Sequence, residues 1–230
     1  MRPNWRISYD GLSEIALVKE YFRSVTLNHS YSSQYNIGSF SSNLAYESNI
    51  FAFRDNSYYF VPEFDVATVS INEQFSPLIG IDVTMNNNLT TRFEYKKSRI
   101  VSLSLASNYI TDIYNNEYVI GAGYRFEQVP LNMFVSSVKS DVKSDLNIRA
   151  DLSIRDDITV TRKIENQLQQ ASAGTRNFKL SLTADYSLSQ NLKASVFFDH
   201  TITDPHAGNS VFLQSITNFG FSVQFMLTGQ

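Results

Sequence analysis

The chain has 230 residues, with 19 Lys and Arg against 22 Asp and Glu and no cysteine. This near balance of charge argues against a basic surface for a polyanion such as nucleic acid. No apolar run approaches the roughly 18 residues that a membrane helix needs, which argues against a helical membrane protein. The mean hydropathy of -0.20 resembles that of a soluble protein. A membrane β-barrel also has a low average, however, because its strands alternate lipid-facing and lumen-facing residues.

Residues 1–77 predict irregular strands with long loops and one short helix. Trp5, Ile7 and Tyr9 share one face of a short strand, whereas the apolar residues of 12–22 follow helical spacing. A Ser- and Asn-rich stretch then predicts a loop. In chain order we expect a strand at 5–9, a helix at 12–22, a strand at 25–37, a loop at 39–57 and a strand at 64–74.

Residues 78–230 repeat one pattern, in which an apolar residue occupies every second position of a segment that ends in a turn. In the segment 88–96, Leu89, Phe93 and Tyr95 share one face and Arg92 and Glu94 share the other. Side chains alternate across a strand, so each segment predicts a strand with one apolar and one charged face. The predicted strands are 78–86, 88–96, 99–109, 117–127, 144–154, 158–168, 176–187, 191–202 and 215–227.

Strands of this length with aromatic residues near their ends predict an antiparallel transmembrane β-barrel. Tyr118 and Phe126 lie eight residues apart on one face, as do Phe178 and Tyr186. At about 3.4 Å per residue this spacing is roughly 27 Å along the strand. A strand tilt near 40° reduces it to about 21 Å along the membrane normal, close to the band about 25 Å tall between aromatic girdles. The spacing does not exclude a soluble sandwich, although strands there are usually shorter, about 5–6 residues.

The barrel interpretation assigns the two faces of the strands to lumen and lipid. The residues predicted to face the lumen are Arg92, Glu94, Arg125, Arg149, Asp151, Lys179, Asp185, Lys193 and Asp199. The residues predicted to face lipid are Phe93, Tyr95, Tyr118, Phe126, Phe178, Leu180, Leu182, Tyr186, Phe221 and Phe225. The alternative for the charged set is the solvated face of an ordinary sheet, which carries mixed charges too.

Connection lengths predict an orientation. Toward the C-terminus they run short (155–157), medium (169–175), short (188–190) and long (203–214), and barrels place short turns in the periplasm. This order predicts a periplasmic C-terminus and an external connection at 127–143. The short link Lys97-Ser98 would also be external, which does not fit the rule.

We expect no enzyme activity, no cofactor and no metal site. His200 has outward-facing parity and His206 falls in a predicted loop, so the two do not form the convergent set that zinc needs. Asp156-Asp157 predicts a turn rather than a catalytic pair of acids. Gly121-Ala-Gly123 lies inside a strand with no helix after it, so it predicts relief of crowding on the inner face or a bend, not a phosphate loop.

Six stretches resemble the C-terminal end of the outer-membrane translocon of type IX secretion, the SprA/Sov family of Bacteroidota. The stretches are 3–11 (PNWRISYDG), 21–29 (YFRSVTLNH), 91–98 (TRFEYKKS), 117–126 (EYVIGAGYRF), 151–160 (DLSIRDDITV) and 218–225 (NFGFSVQF). They run over the whole chain with little interruption.

This resemblance implies a very large single-chain barrel of about 36 strands, the largest size known for such barrels. It implies export of folded cargo with a C-terminal signal domain, including gliding adhesins, across the outer membrane of a Gram-negative bacterium. The implied partners are the remaining strands of the barrel, a PorV-like shuttle barrel, a periplasmic plug protein, the cargo and outer-membrane lipid. It carries no catalytic residues.

The beginning of the chain predicts that a longer protein precedes it. Residues 1–5 lack the charged and apolar regions of a secretory signal peptide, which an outer-membrane barrel needs. We therefore expect the chain to be the downstream part of the barrel, a fragment or a split product. Two alternatives stay open: a self-contained porin or transporter of roughly 10–13 strands, and a soluble β-sandwich adhesion module.

Overall fold

The described residues form one antiparallel sheet of nine strands, each paired with its neighbours in chain order. The computed structural model describes residues 3–44, 46, 61–130, 143–165, 169–189, 191–207 and 212–225. The strands are β1 (Trp5–Tyr9), β2 (Phe22–Ser42), β3 (Phe64–Met85), β4 (Leu89–Ser104), β5 (Tyr109–Pro130), β6 (Lys143–Lys163), β7 (Gln169–Ser189), β8 (Leu192–Ala207) and β9 (Gln214–Phe225). The prediction of an all-β antiparallel fold is confirmed.

The short helical segment predicted between the first two strands is also present. A 3-10 helix at Gly11–Glu14 precedes α1 at Ala16–Tyr21. None of the helices in the described part of the chain is long and apolar enough to cross a bilayer. Most of the predicted loop at 39–57 lies outside the described residues, but its first residues continue β2.

The strands are longer and fewer than predicted. β3 joins the predicted strands 64–74 and 78–86, and so carries one sheet across the boundary at residue 77. β6 joins 144–154 to the first six residues of 158–168, so the predicted turn at 155–157 is wrong. The predicted turns at Lys97-Ser98 and at 169–175 are wrong for the same reason, because both stretches pair within strands. The polar composition of these stretches resembles that of turns, but their backbone groups continue the hydrogen bonding between strands.

Strand length far exceeds what a membrane needs. β6 has 21 residues, which at about 3.4 Å per residue span about 70 Å, whereas a tilted strand crosses a bilayer in about 9–11 residues. A large part of each long strand would therefore extend beyond a bilayer.

The register corrects one connection. The turn after Met85, the connection between Pro130 and Lys143 and the turn after Ser189 all lie at the sheet end where β9 finishes at Phe225. The connection at 127–143 was predicted at the opposite end from the C-terminus. That prediction is wrong because β6 runs through 155–157 without reversing direction.

A turn at residues 86–88 joins β3 to β4, and Asn88 completes it with a φ of 67°. Asparagine tolerates this left-handed conformation, which a β-branched residue resists. We expect Asn88→Val to lower the free energy of unfolding by about 1–2 kcal/mol and Asn88→Gly to change it by less than about 0.5 kcal/mol. Urea unfolding of the assembled protein would check this pair, and equal losses in both variants would contradict it.

The described residues form a single layer, so the sheet has almost no core. Tyr186, at 7% exposure, is the one large hydrophobic side chain in the described residues that is fully buried. Its hydroxyl donates to the carbonyl of Val129 at 2.8 Å. Phe219 and Phe221 are 74% and 64% exposed. Such a sheet leaves one large apolar face uncovered, which water does not favour.

Candidate functional site

Side chains of directly opposed residues point to the same side of a sheet, so the register defines two faces. One row runs from Phe93 through Ile120, Leu152 and Leu180 to His200. The adjacent row, one residue along each strand, runs from Arg92 through Gly121 to Asp151 and Asp199 on the other side of the sheet. We call these sides the apolar face and the polar face.

The apolar face carries a continuous band of hydrophobic side chains. On β6 it comprises five rows, from Leu146 to Ile154, which pair with Phe126 to Tyr118 on β5 and with Tyr186 to Phe178 on β7. We call this region the apolar band. All residues predicted to face lipid lie on this face, namely Phe93, Tyr95, Tyr118, Phe126, Phe178, Leu180, Leu182, Tyr186, Phe221 and Phe225.

Aromatic rings mark both ends of the apolar band. Tyr95 and Tyr118 stack with ring centroids 4.7 Å apart and planes at 11°. At the other end, Tyr124 and Phe126 meet edge to face at 4.6 Å. Such rings commonly lie at the two interfaces of a bilayer, and the separation of these rows matches a bilayer's height at the usual strand tilt.

The polar face carries all nine residues predicted to face a lumen. Arg92, Asp151 and Asp199 share one row, while Glu94 and Lys179 share the next. The remaining members are Arg125, Arg149, Asp185 and Lys193. The sequence pattern therefore sorted these side chains onto one side of the sheet, opposite the apolar band and at the same depth.

Most of these charges form ion pairs between neighbouring strands. Arg92 Nε lies 3.0 Å from Asp82 Oδ1. Asp185 accepts from two strands at once, with Arg149 Nη2 at 3.3 Å and Lys193 Nζ at 3.4 Å. These contacts brace adjacent strands, although exposed pairs of this kind contribute only about 0–1 kcal/mol each.

Two glycines open a depression of about 440 Å³ on the polar face between Arg92 and Arg149. A Cβ at Gly121 would lie 2.5 Å from Asp151 Oδ1, and one at Gly123 would lie 2.7 Å from Thr90 Oγ1. Glycine at these positions relieves crowding between neighbouring side chains, in agreement with the sequence-based prediction.

A polar cluster on the apolar face beyond the band was missed by the sequence analysis. Asp112 is 1% exposed and lies six residues past Tyr118, about 20 Å farther along the strand. Arg99 binds its two oxygens at 2.9 and 2.6 Å. The hydroxyl of Tyr114 donates at 2.7 Å and Arg162 at 3.3 Å. Arg99, followed by Tyr114, holds the pKa of Asp112 below its ordinary value despite burial.

This cluster was missed because a turn was predicted at Lys97-Ser98. Because β4 runs through that link without a break, Arg99 keeps the face of Phe93 and Tyr95. Counting every second residue onward from Phe93 on β4 and backward from Tyr118 on β5 would have placed Arg99 and Asp112 on one face. The sequence therefore showed which face Arg99 and Asp112 would share, but it did not show that the strands extend that far.

The acidic pair Asp156-Asp157 lies within β6 rather than in a turn. Its two carboxylates point to opposite faces, where Arg155 Nε binds Asp157 Oδ2 at 2.9 Å and Arg176 Nη2 lies 3.7 Å from Asp156 Oδ2. His206 belongs to β8 and not to a loop, because the strand extends to Ala207. Its Nε2 lies 3.6 Å from Asp156 Oδ1.

The other two histidines each have a polar contact with the neighbouring strand. His29 Nδ1 lies 2.7 Å from the carbonyl of Leu78, and His200 Nδ1 lies 2.8 Å from Thr217 Oγ1. Over the described ranges, no three His, Asp or Glu side chains converge as metal ligands would. What the charged residues predicted to face a lumen have in common is therefore their place on the polar face.

Comparison with known proteins adds no assignment. No protein-family model matches the chain, and a search of curated proteins found no significant match.

Proposed function

We propose that the chain forms part of the wall of a very large outer-membrane β-barrel, the protein-conducting channel of a type IX secretion system. The observation that carries the first half of this proposal is the two-sided sheet. One face presents a hydrophobic band of bilayer height, and the opposite face carries ionised groups at the same depth. A lipid-facing outer wall and a water-filled interior satisfy both faces at once.

The edges of the sheet favour a wall larger than this chain. β1 and β9 are the two outermost strands, and hydrocarbon does not tolerate strand edges without hydrogen-bond partners. The remaining strands of the same barrel would supply those partners. Nine strands would make about a quarter of a wall of about 36 strands, whereas a self-contained porin would require β1 and β9 to pair with each other.

The second half of the proposal rests on the resemblance of six stretches to the SprA/Sov family. In that role the channel exports folded cargo with a C-terminal signal domain, including gliding adhesins. Its partners are a PorV-like shuttle barrel, a periplasmic plug protein and outer-membrane lipid. Its location is the outer membrane of a Gram-negative bacterium of the Bacteroidota, with the end of β9 toward the periplasm.

Single cysteines test the proposed sidedness, since the chain has none of its own. In the assembled barrel we expect Lys179→Cys to react with a charged, water-soluble maleimide and Leu180→Cys to resist it, because the two neighbours face opposite sides. A lipid-soluble reagent should reverse the order. Equal reaction of both positions with the charged reagent would contradict a lipid-facing wall.

Depletion of the gene tests the secretion role. We expect cargo with the C-terminal signal domain to accumulate in the periplasm and gliding to stop, while other outer-membrane proteins keep their levels. Undiminished cargo export after complete depletion would overturn the secretion role and leave the proposed barrel wall intact.

A further inference from the structure

The charged residues of the polar face form a belt in which the two signs nearly cancel. We define the mixed-charge belt as the polar-face rows opposite the apolar band, together with one row beyond each end. Its basic residues are Arg6, Arg23, Arg92, Lys96, Arg125, Arg149, Arg155, Lys179 and Lys193. Its acidic residues are Asp82, Glu94, Glu117, Glu127, Asp145, Asp151, Asp185 and Asp199.

In one row of the belt, opposite charges alternate from strand to strand. Lys96 stands opposite Glu117, which stands opposite Arg155 on the next strand. The Nζ of Lys96 lies 3.0 Å from Glu94 Oε2 and 3.9 Å from Glu117 Oε2. Within the described registers of the belt, no two like charges stand directly opposite each other. Six of the nine basic residues form ion pairs with carboxylates, namely Arg92, Lys96, Arg125, Arg149, Arg155 and Lys193. Much of their field is therefore cancelled within the screening length of about 8 Å at physiological salt.

Beyond the belt, toward the end of the sheet away from Phe225, the described polar face carries few charges, with Asp157 and Lys163 on β6 as its charged residues. One row there consists of Ser70, Ser102, Thr111 and Thr161 on four successive strands. Hydroxyl groups keep this surface hydrated without attracting either sign of charge. Over the described strands, the polar face thus offers a passing protein no extended patch that is apolar, cationic or anionic.

We infer that the mixed-charge belt makes this wall non-adhesive toward folded proteins of either net charge. This inference rests on the proposed function and extends it to the substrate class. A cargo carboxylate near the belt meets about as many acidic as basic groups, and the basic groups are mostly engaged already. The long-range attraction that holds oppositely charged proteins together is therefore absent. Acidic and basic folded cargo should pass this wall equally well.

Charge reversal within the belt tests the inference in the full-length channel in its own outer membrane. Asp151 and Asp199 flank Ser181 in one row, so Asp151→Lys with Asp199→Lys creates a cationic patch without removing an ion pair between described residues. Lys179→Glu, two residues from Ser181 on the same face, changes the charge in the other direction. Asp151→Asn with Asp199→Asn is the matched control, since it removes the charges without reversing them.

The readout is export of two folded reporters of similar size, one acidic and one basic, each fused to the C-terminal signal domain. The parent channel should export both at similar rates. The double lysine variant should lower the ratio of acidic to basic export by roughly threefold, the size expected for a few screened charge pairs. Lys179→Glu should move the ratio in the opposite direction, and the Asn control should move it less than the double lysine variant.

An unchanged export ratio in assembled charge-reversed variants would overturn the inference, as would unequal export of the two reporters by the parent channel. If the double lysine variant fails to assemble, Lys179→Glu decides the comparison by itself. Failure of the proposed function has a separate signature, because both reporters would then be exported at the parent rate in cells that lack the channel.

Discussion

Leu182→Lys is expected to prevent stable insertion of the barrel, whereas Ser181→Lys is expected to be tolerated. Leu182 lies in the middle row of the apolar band, between Ala150 and Phe198. A lysine facing lipid at the bilayer midplane costs about 2–4 kcal/mol. At the adjacent position the same lysine would face Asp151 and Asp199 across the polar face, where water and two carboxylates accommodate it.

The pair is well matched because both variants add the same charge at the same depth of one strand. The measurement is the amount of heat-modifiable barrel in purified outer membranes, together with its midpoint of unfolding in urea. We expect the Leu182 variant to lose most of its assembled form and the Ser181 variant to stay within about 0.5 kcal/mol of the parent. Normal assembly of both variants would mean that the apolar band does not contact lipid.

Replacing both arginines that bind Asp112 is expected to produce the second large effect. In Arg99→Met with Arg162→Met, the carboxylate of Asp112 keeps only the hydroxyl of Tyr114 as a close partner within its cluster. An uncompensated buried charge costs about 3–5 kcal/mol. The two arginines are 41% and 40% exposed, so water will replace part of the lost interaction, and we expect a loss of about 2–3 kcal/mol.

Each single variant should lose less than half of this, since one guanidinium remains in place. Arg155→Met is the control because Arg155 and Asp157 form a more exposed pair, at 51% and 26% exposure, and its loss should stay below about 1 kcal/mol. Urea unfolding of the assembled barrel measures all four variants. Equal losses in the double variant and the control would show that Asp112 is not a buried charge.

The pH dependence of the same variants has a defined sign. Because Arg99 lowers the pKa of Asp112 in the folded chain, the carboxylate stabilises the fold above its unfolded pKa of about 3.9. That stabilisation is lost as the pH falls through the lower, folded value. Removing both arginines raises the folded pKa again. The stability difference between parent and double variant should therefore be greatest near neutral pH and decrease below about pH 4.

The face of each residue was predictable at the depth of the apolar band, and strand length was not. From Leu146 to Ile154 on β6, alternation is strict, so parity alone sorted apolar from polar side chains. Past Tyr118 the apolar face becomes polar, with Asn116 and Asp112 on it. Alternating hydrophobicity then disappears although the strand continues, because backbone hydrogen bonding does not depend on which side chain faces outward.

The same reason explains the false turns. Asp156-Asp157 and Lys97-Ser98 have turn-like composition, but each lies where both faces of the sheet are polar. The carboxylate of Asp157 pairs with Arg155 on the same strand, and that of Asp156 pairs with Arg176 on the neighbouring strand. A local pattern does not reveal such partners, since Arg176 is brought opposite Asp156 only by the pairing of β6 with β7.

The sequence by itself determined the all-β class and the two-sided character of the strands, because side-chain alternation has a period of two whatever the partner strand is. Only the tertiary structure decided the register, which sets the residues that stand opposite each other on the nine paired strands. Register depends on the combined free energy of hydrogen bonds and cross-strand contacts between residues that lie far apart in the chain. It therefore also decided the extent of the mixed-charge belt, the ion pairs within it and the cluster around Asp112.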